Sequence, residues 1–190
     1  MAGQKTPTAL GTESIGKLLM QYAVPAIIAM TASSLYNMVD SIFIGHGVGT
    51  MAISGLALTF PLMNLAAAFG SLVGVGAATL VSMRLGQRDY ETAQRILGNV
   101  VVLNLIIGIS FGLLTLVFLD PILYFFGASD ATIGYAREYM SVILWGNVVT
   151  HMYLGLNAVL RAAGHPRKAM YATILTVTIN AILDPLFIFG

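Results

Sequence analysis

Charge punctuates this chain at wide intervals. Between Leu18 and Met83 the only charged side chain is Asp40; none occurs from Ile96 to Leu119 or from Tyr139 to Leu160, and from Ala169 to Gly190 there is only Asp184. Crossing a bilayer takes a helix of roughly 20 mostly apolar residues, and the first of these runs is too long for one crossing. It is divided by GHGVGT, Gly45 to Thr50, whose glycines suit a tight turn. The pattern therefore predicts five spans, near 18–44, 53–83, 96–119, 139–160 and 169–190, after an N-terminal segment over 1–17. Within the second span Ala66, Gly70, Gly74 and Ala78 recur every fourth residue, placing small side chains on one helical face. Such a face lets a neighbouring helix approach closely, or presents a smooth wall to a cavity. Pro25 and Pro61 are expected to bend the first two spans.

Composition agrees. Hydrophobic residues make up 57% of the chain and charged residues 9%, with mean hydropathy +0.85, whereas an ordinary soluble domain carries about 25% charged residues. A water-facing surface cannot be built from so few charges, so the fold class expected is an all-α, polytopic membrane bundle. A net charge of +1 gives no basis for a nucleic-acid partner. Without cysteine there is no disulfide framework, thiol nucleophile or cysteine metal site. A cleaved signal peptide is the rival account of the N-terminus, but the apolar run continues well past the roughly 7–15 residues of a signal core.

Orientation follows from the basic residues. Lys5 and Lys17 precede the first span, Arg84, Arg88 and Arg95 lie between the second and third, and Arg161, Arg167 and Lys168 lie between the fourth and fifth; Arg137 alone falls on the other side. Basic residues stay inside, so the N-terminus is expected in the cytoplasm, with spans one, three and five running outward through the cell (inner) membrane.

Two segments then stand out, NMVDSIFIG from Asn37 to Gly45 and NAILDPLFIFG from Asn180 to Gly190. Each sets an asparagine one helical turn before an aspartate: Asn37 and Asp40 at i, i+3, Asn180 and Asp184 at i, i+4, on one face in both cases. A charge in hydrocarbon costs roughly 3 kcal/mol or more, so these carboxylates should face a protein interior or a watery cavity. The two spans run in the same direction, which puts both aspartates in the outer half of the bilayer. A carboxyl near apolar walls and near a second carboxyl binds protons more readily, as a proton carrier requires. Pro185 cannot donate to the carbonyl of Ala181, one turn from Asp184. That helix break reads either as a structural kink or as part of an oxygen-rich site, with Asp40, Asn180 and Asp184, that would suit a sodium ion. Tyr139, Asn147, His151 and Asn157 form a weaker polar series in the fourth span, where His151 is an interior histidine or a proton relay. Methionines such as Met20, Met30 and Met38 fill gaps or line an adaptable apolar pocket.

LYNMVDSIFIGHGVGT from Leu35 to Thr50, RLGQRDYETA from Arg84 to Ala93, LNAVLRAAGHPRKAM from Leu156 to Met170 and NAILDPLFIFG together resemble the N-terminal half of the multidrug and toxic compound extrusion (MATE) family. The resemblance implies five helices of a six-helix N-lobe, in a two-lobed exporter of cationic or amphipathic drugs and toxic organic cations. Protons or sodium ions would be the exchanged species, with no cofactor and no enzymatic activity. By motif it assigns Asp40 and Asp184 as cation-coupling carboxylates, Asn180 as their partner, and Tyr139 and Asn157, beside Asn37, as a supporting polar network. One departure lies in GHPRK, where His165 stands in place of the acidic residue usual after the glycine.

A sixth helix and a second lobe are absent from these residues, so the sequence reads as a truncated N-lobe that a partner lobe, or a second copy, would complete. Two other functions share some of these features. A lipid-linked oligosaccharide flippase of related architecture should carry arginines in its cavity, and none lies inside the predicted spans. An intramembrane aspartyl protease also needs two membrane carboxylates, within about one water of each other, but the glycine-flanked aspartate motif of those enzymes is missing.

Overall fold

The computed structural model describes residues 13–47 and 50–189, without the side chains of His46, Thr50 and residues 184–189. Among the described residues there are six helices and no strand: α1 (Ile15–Gly47), α2 (Thr50–Gly86), α3 (Tyr90–Val117), α4 (Leu119–Phe125), α5 (Ile133–Ala162) and α6 (Pro166–Phe189). The five long helices match the predicted spans. By length and hydropathy alone α1, α2, α3 and α5 qualify as membrane-crossing, while α6 begins Pro166, Arg167, Lys168 and falls short among its described residues. The chain is a multi-pass membrane protein.

Boundaries differ from the predicted ones where charge is satisfied locally. α3 starts at Tyr90 rather than near Ile96, because Asp89 caps it by accepting from the Thr92 amide (3.1 Å) and Glu91 pairs with Arg95 (2.6 Å) one turn on. α5 starts at Ile133, before the apolar run at Tyr139, since Arg137 is neutralised by a two-pronged bond to Asp120 (2.7 and 2.6 Å). Asp120 lies on α4, a seven-residue helix that the charge pattern does not predict. Its Leu119 and Leu123 are buried against Leu62, Ile133, Ala136 and Met140, closing one end of the bundle. α6 runs as a helix past Pro185 to Phe189. One proline removes a single backbone hydrogen bond, and a membrane helix tolerates that loss.

Small residues decide how the helices meet. α2 packs most extensively on α5 and also on α3, while α1 lies along α6 and touches α2 only slightly. On the predicted small-residue face Ala66, Gly70 and Gly74 are buried. A Cβ built on Gly74 would sit 2.5 Å from the Gly155 Cα and 2.7 Å from its carbonyl oxygen, so two backbones touch there. The face serves packing. Left-handed backbone marks the turns: Gly127 (φ 97°) between α4 and α5, Gly164 (φ 82°) between α5 and α6, and Arg88 (φ 62°) between α2 and α3. α6 joins the two groups by packing on α5 as well as on α1.

Candidate functional site

α1, α5 and α6 enclose the polar interior. Tyr153, Asn157 and Arg161 follow one another at four-residue intervals along α5, while Ala169 and Thr173 do so along α6, so the two sets form facing stripes. The Asn157 amide donates to the Ala169 carbonyl (3.0 Å) and its oxygen accepts from Arg161. Thr173 donates to the same carbonyl (3.1 Å), so its single proton is committed and the Tyr153 hydroxyl, 2.6 Å away, is the donor to Thr173 Oγ1. Asn157 is buried at 6% exposure, with both ends of its amide satisfied. It ties α5 to α6.

Two cavities flank this ladder. One of about 300 Å³ is lined by Tyr22, Pro25 and Met30 of α1 together with Asn157 and Arg161. The other, of about 350 Å³, adds Ser33, Ser34 and Tyr153. Both include Ala29 and Thr173. Arg161, exposed in the last turn of α5, thus edges both cavities from the helix end, although no predicted span contains an arginine. Long basic side chains reach along apolar walls in this way.

The predicted acidic site lies further along the same helix pair. Asp40 is half-buried and Asn37, one turn earlier, is exposed. Ser41 donates to the Asn37 carbonyl (2.9 Å). One turn past Asp40, Ile44 is buried with Ala52 and Leu56, and Tyr139 of α5 packs on that cluster, so Asp40 and Tyr139 share one corner of the molecule. Asn180 is half-buried on α6; the side chains of Asp184 and Pro185 lie outside the described residues. The helices run parallel, because the first turns of α1 and of α6, at Lys17 and Arg167, line one groove, and Ala29 and Thr173 share a cavity further on. Parallel and packed side by side, α1 and α6 therefore carry the backbone of Asp40 and Asp184 toward the same end of the pair. Asn157 belongs to an earlier level, with Met30 and Thr173.

His151 sits elsewhere, fully buried where α5 meets α2 and α3, its ring 6.1 Å from that of Phe111. Its Nδ1 is 2.9 Å from the Asn147 carbonyl, which can only accept, so Nδ1 carries the proton. Asn147 in turn donates to the Gly108 carbonyl (3.0 Å). These contacts fasten α5 to α3. The members of the site that the sequence did not single out are Tyr153, Arg161, Thr173, Ser33 and Ser34. For Tyr153, Arg161 and Thr173 the signal was the four-residue spacing on α5 and α6, which becomes informative only when the two stripes are known to face.

Comparison with known proteins follows the same outline. The MatE family profile matches residues 25–186. Multidrug export protein MepA of Staphylococcus haemolyticus (strain JCSC1435) is 32% identical over 177 residues, which cover 93% of this chain and 39% of that protein. Among solved structures, a ligand complex of the MATE multidrug transporter DinF-BH superposes with a TM-score of 0.89 at 36% identity, covering 99% of this chain and 42% of the other. An outward-facing multidrug resistance MATE family transporter of the MOP superfamily gives 0.90 at 28% identity, covering 100% and 42%. The chain spans about two fifths of the length of the relatives it matches.

Proposed function

Since the chain belongs to the MatE family, we propose that it forms most of the N-lobe of a secondary active exporter, which moves cationic or amphipathic drugs outward in exchange for protons or sodium ions. The matched relatives are multidrug transporters, and catalysis has no place in this reading. The observation that supports it is that α1 and α6 pack along each other and run parallel, so that Asp40 and Asp184 belong toward the same end of neighbouring helices. Carboxylates so arranged bind one cation far better than two isolated groups would, and release it when the helices shift. Asn180 and Asn37, one turn before each aspartate, supply amide oxygens beside the carboxylates. Tyr139 packs at the same corner. The Ala181 carbonyl, deprived of its donor by Pro185, adds a hard oxygen ligand suited to sodium. Asn157, Tyr153 and Thr173 hold α5 against α6, so that movement of α6 is passed to the rest of the lobe. A second lobe, or a second copy of this one, supplies the opposing body for alternating access. The basic end of the bundle is the cytoplasmic one.

The test is efflux of a lipophilic cationic dye from cells expressing the intact transporter. Asp40→Asn and Asp184→Asn should each abolish efflux while leaving expression unchanged. Full efflux in both variants would remove the coupling role. A protonophore that stops efflux assigns the proton; dependence on external sodium assigns sodium.

A further inference from the structure

A third cavity, of about 480 Å³, opens between the first turns of α1 and α6 at the basic end of the bundle, sharing only Pro25 and Met170 with the first. Its α1 wall includes Lys17, Gln21, Val24 and Ile28, at steps of four, three and four residues that keep them on one face, with Met20 and Pro25 beside them. Its α6 wall is Arg167, Met170 and Tyr171. Each wall begins with a cation. About one turn on, a methionine stands next to a hydrogen-bonding side chain (Met20 and Gln21, Met170 and Tyr171), and deeper in the α1 wall is apolar at Val24, Pro25 and Ile28. That sequence of chemistry is the order of an anionic phospholipid: phosphate, glycerol esters, acyl chain.

We propose that this groove binds one anionic phospholipid, its phosphate between Lys17 and Arg167 and an acyl chain along Val24 and Ile28. Charge complementarity selects the occupant. Arg167 has no ion-pair partner among the described residues. Lys17 makes one long contact, 3.4 Å to Glu13, which does not line the groove, and its ammonium has three donors to share. By contrast Arg84 and Arg95, at the same end of the molecule, are matched by the nearby Asp89 and Glu91. A zwitterionic lipid would add a choline cation beside Lys17 and Arg167, whereas an anionic headgroup brings the phosphate charge with no such cation. Because α1 and α6 also carry the proposed aspartates, a lipid wedged here would hold together the end of the helix pair whose other end moves; the binding itself requires only a bilayer.

Native mass spectrometry of the purified protein, released from nanodiscs of equal phosphatidylglycerol and phosphatidylcholine with identical acyl chains, tests the assignment. Retained lipid should favour phosphatidylglycerol by about fivefold per basic side chain. The double variant Lys17→Gln with Arg167→Gln should lose the preference; Arg95→Gln, outside the groove, and the charge-keeping pair Lys17→Arg with Arg167→Lys should retain it. Equal retention of both lipids by the unmodified protein, or an undiminished preference in the double glutamine variant, overturns the proposal. So does displacement of the lipid by soluble glycerol phosphate, which would mark a site for a free phosphate.

Discussion

Gly74 has no space for a side chain, since the backbone of Gly155 occupies it. Leucine there must push α2 away from α5, and overpacking of a tight contact costs about 1–3 kcal/mol or more. Gly74→Leu should therefore lower the melting temperature of the purified protein markedly, whereas Gly76→Ala, with nothing within 4 Å of its Cβ, should not. The Tyr153–Thr173 bond gives a graded case. Tyr153→Phe removes one hydrogen bond, worth about 1 kcal/mol; Thr173→Val removes the acceptor as well as the Thr173 bond to the Ala169 carbonyl, and should destabilise more. Thermal unfolding in one detergent ranks the two. At this scale the sequence was legible where spacing alone fixes geometry, as for the small-residue face of α2. It was not legible for the tie from Asn157 to Ala169, which is chosen by how α5 and α6 lie together.

Among the elements, α4 is the one that the charge pattern missed. Seven residues are too few to show a period, and the helix exists because Leu119 and Leu123 find a buried place on α5. Its tie to α5 is the Asp120–Arg137 pair, partly exposed at both ends. The Arg137 hydrogen bonds hold the Asp120 carboxyl below its ordinary value of 3.8. A carboxyl with a lowered native pKa contributes stability above its unfolded value, and that contribution disappears as pH falls through the native one. The melting-temperature difference between the unmodified protein and Asp120→Asn should therefore stay constant from neutral pH down to mildly acidic pH. It should shrink only below the ordinary carboxylate value of 3.8. A difference that changed near neutrality would assign the effect to another group. On α4 the same logic runs oppositely for Tyr124, whose bond to Asp130 (3.0 Å) raises its pKa and keeps the hydroxyl protonated.

For the molecule as a whole, α2, α3 and α5 form one packed group, α1 and α6 another, and α6 links them. Basic residues collect at the start of α1 and in the α2–α3 and α5–α6 turns, while α4 closes the opposite end. The proposed orientation is directly measurable because the chain has no cysteine to interfere. In intact cells a membrane-impermeant maleimide should label Ser129→Cys, between α4 and α5, and leave Gln87→Cys, between α2 and α3, unlabelled until the membrane is opened. The reverse pattern would invert the protein. Hydrophobic runs bounded by charge determined from sequence alone that long helices form in a membrane, because hydrocarbon tolerates neither unpaired backbone nor scattered charge. Sequence likewise singled out Asp40 and Asp184, since a carboxylate amid apolar residues is too costly to be incidental. Only the tertiary structure decided that α1 lies parallel along α6, that Arg161 edges the cavities beside Asn157, and that Lys17 and Arg167 share a groove. Contacts between helices depend on which faces the whole bundle buries, and no single helix carries that information.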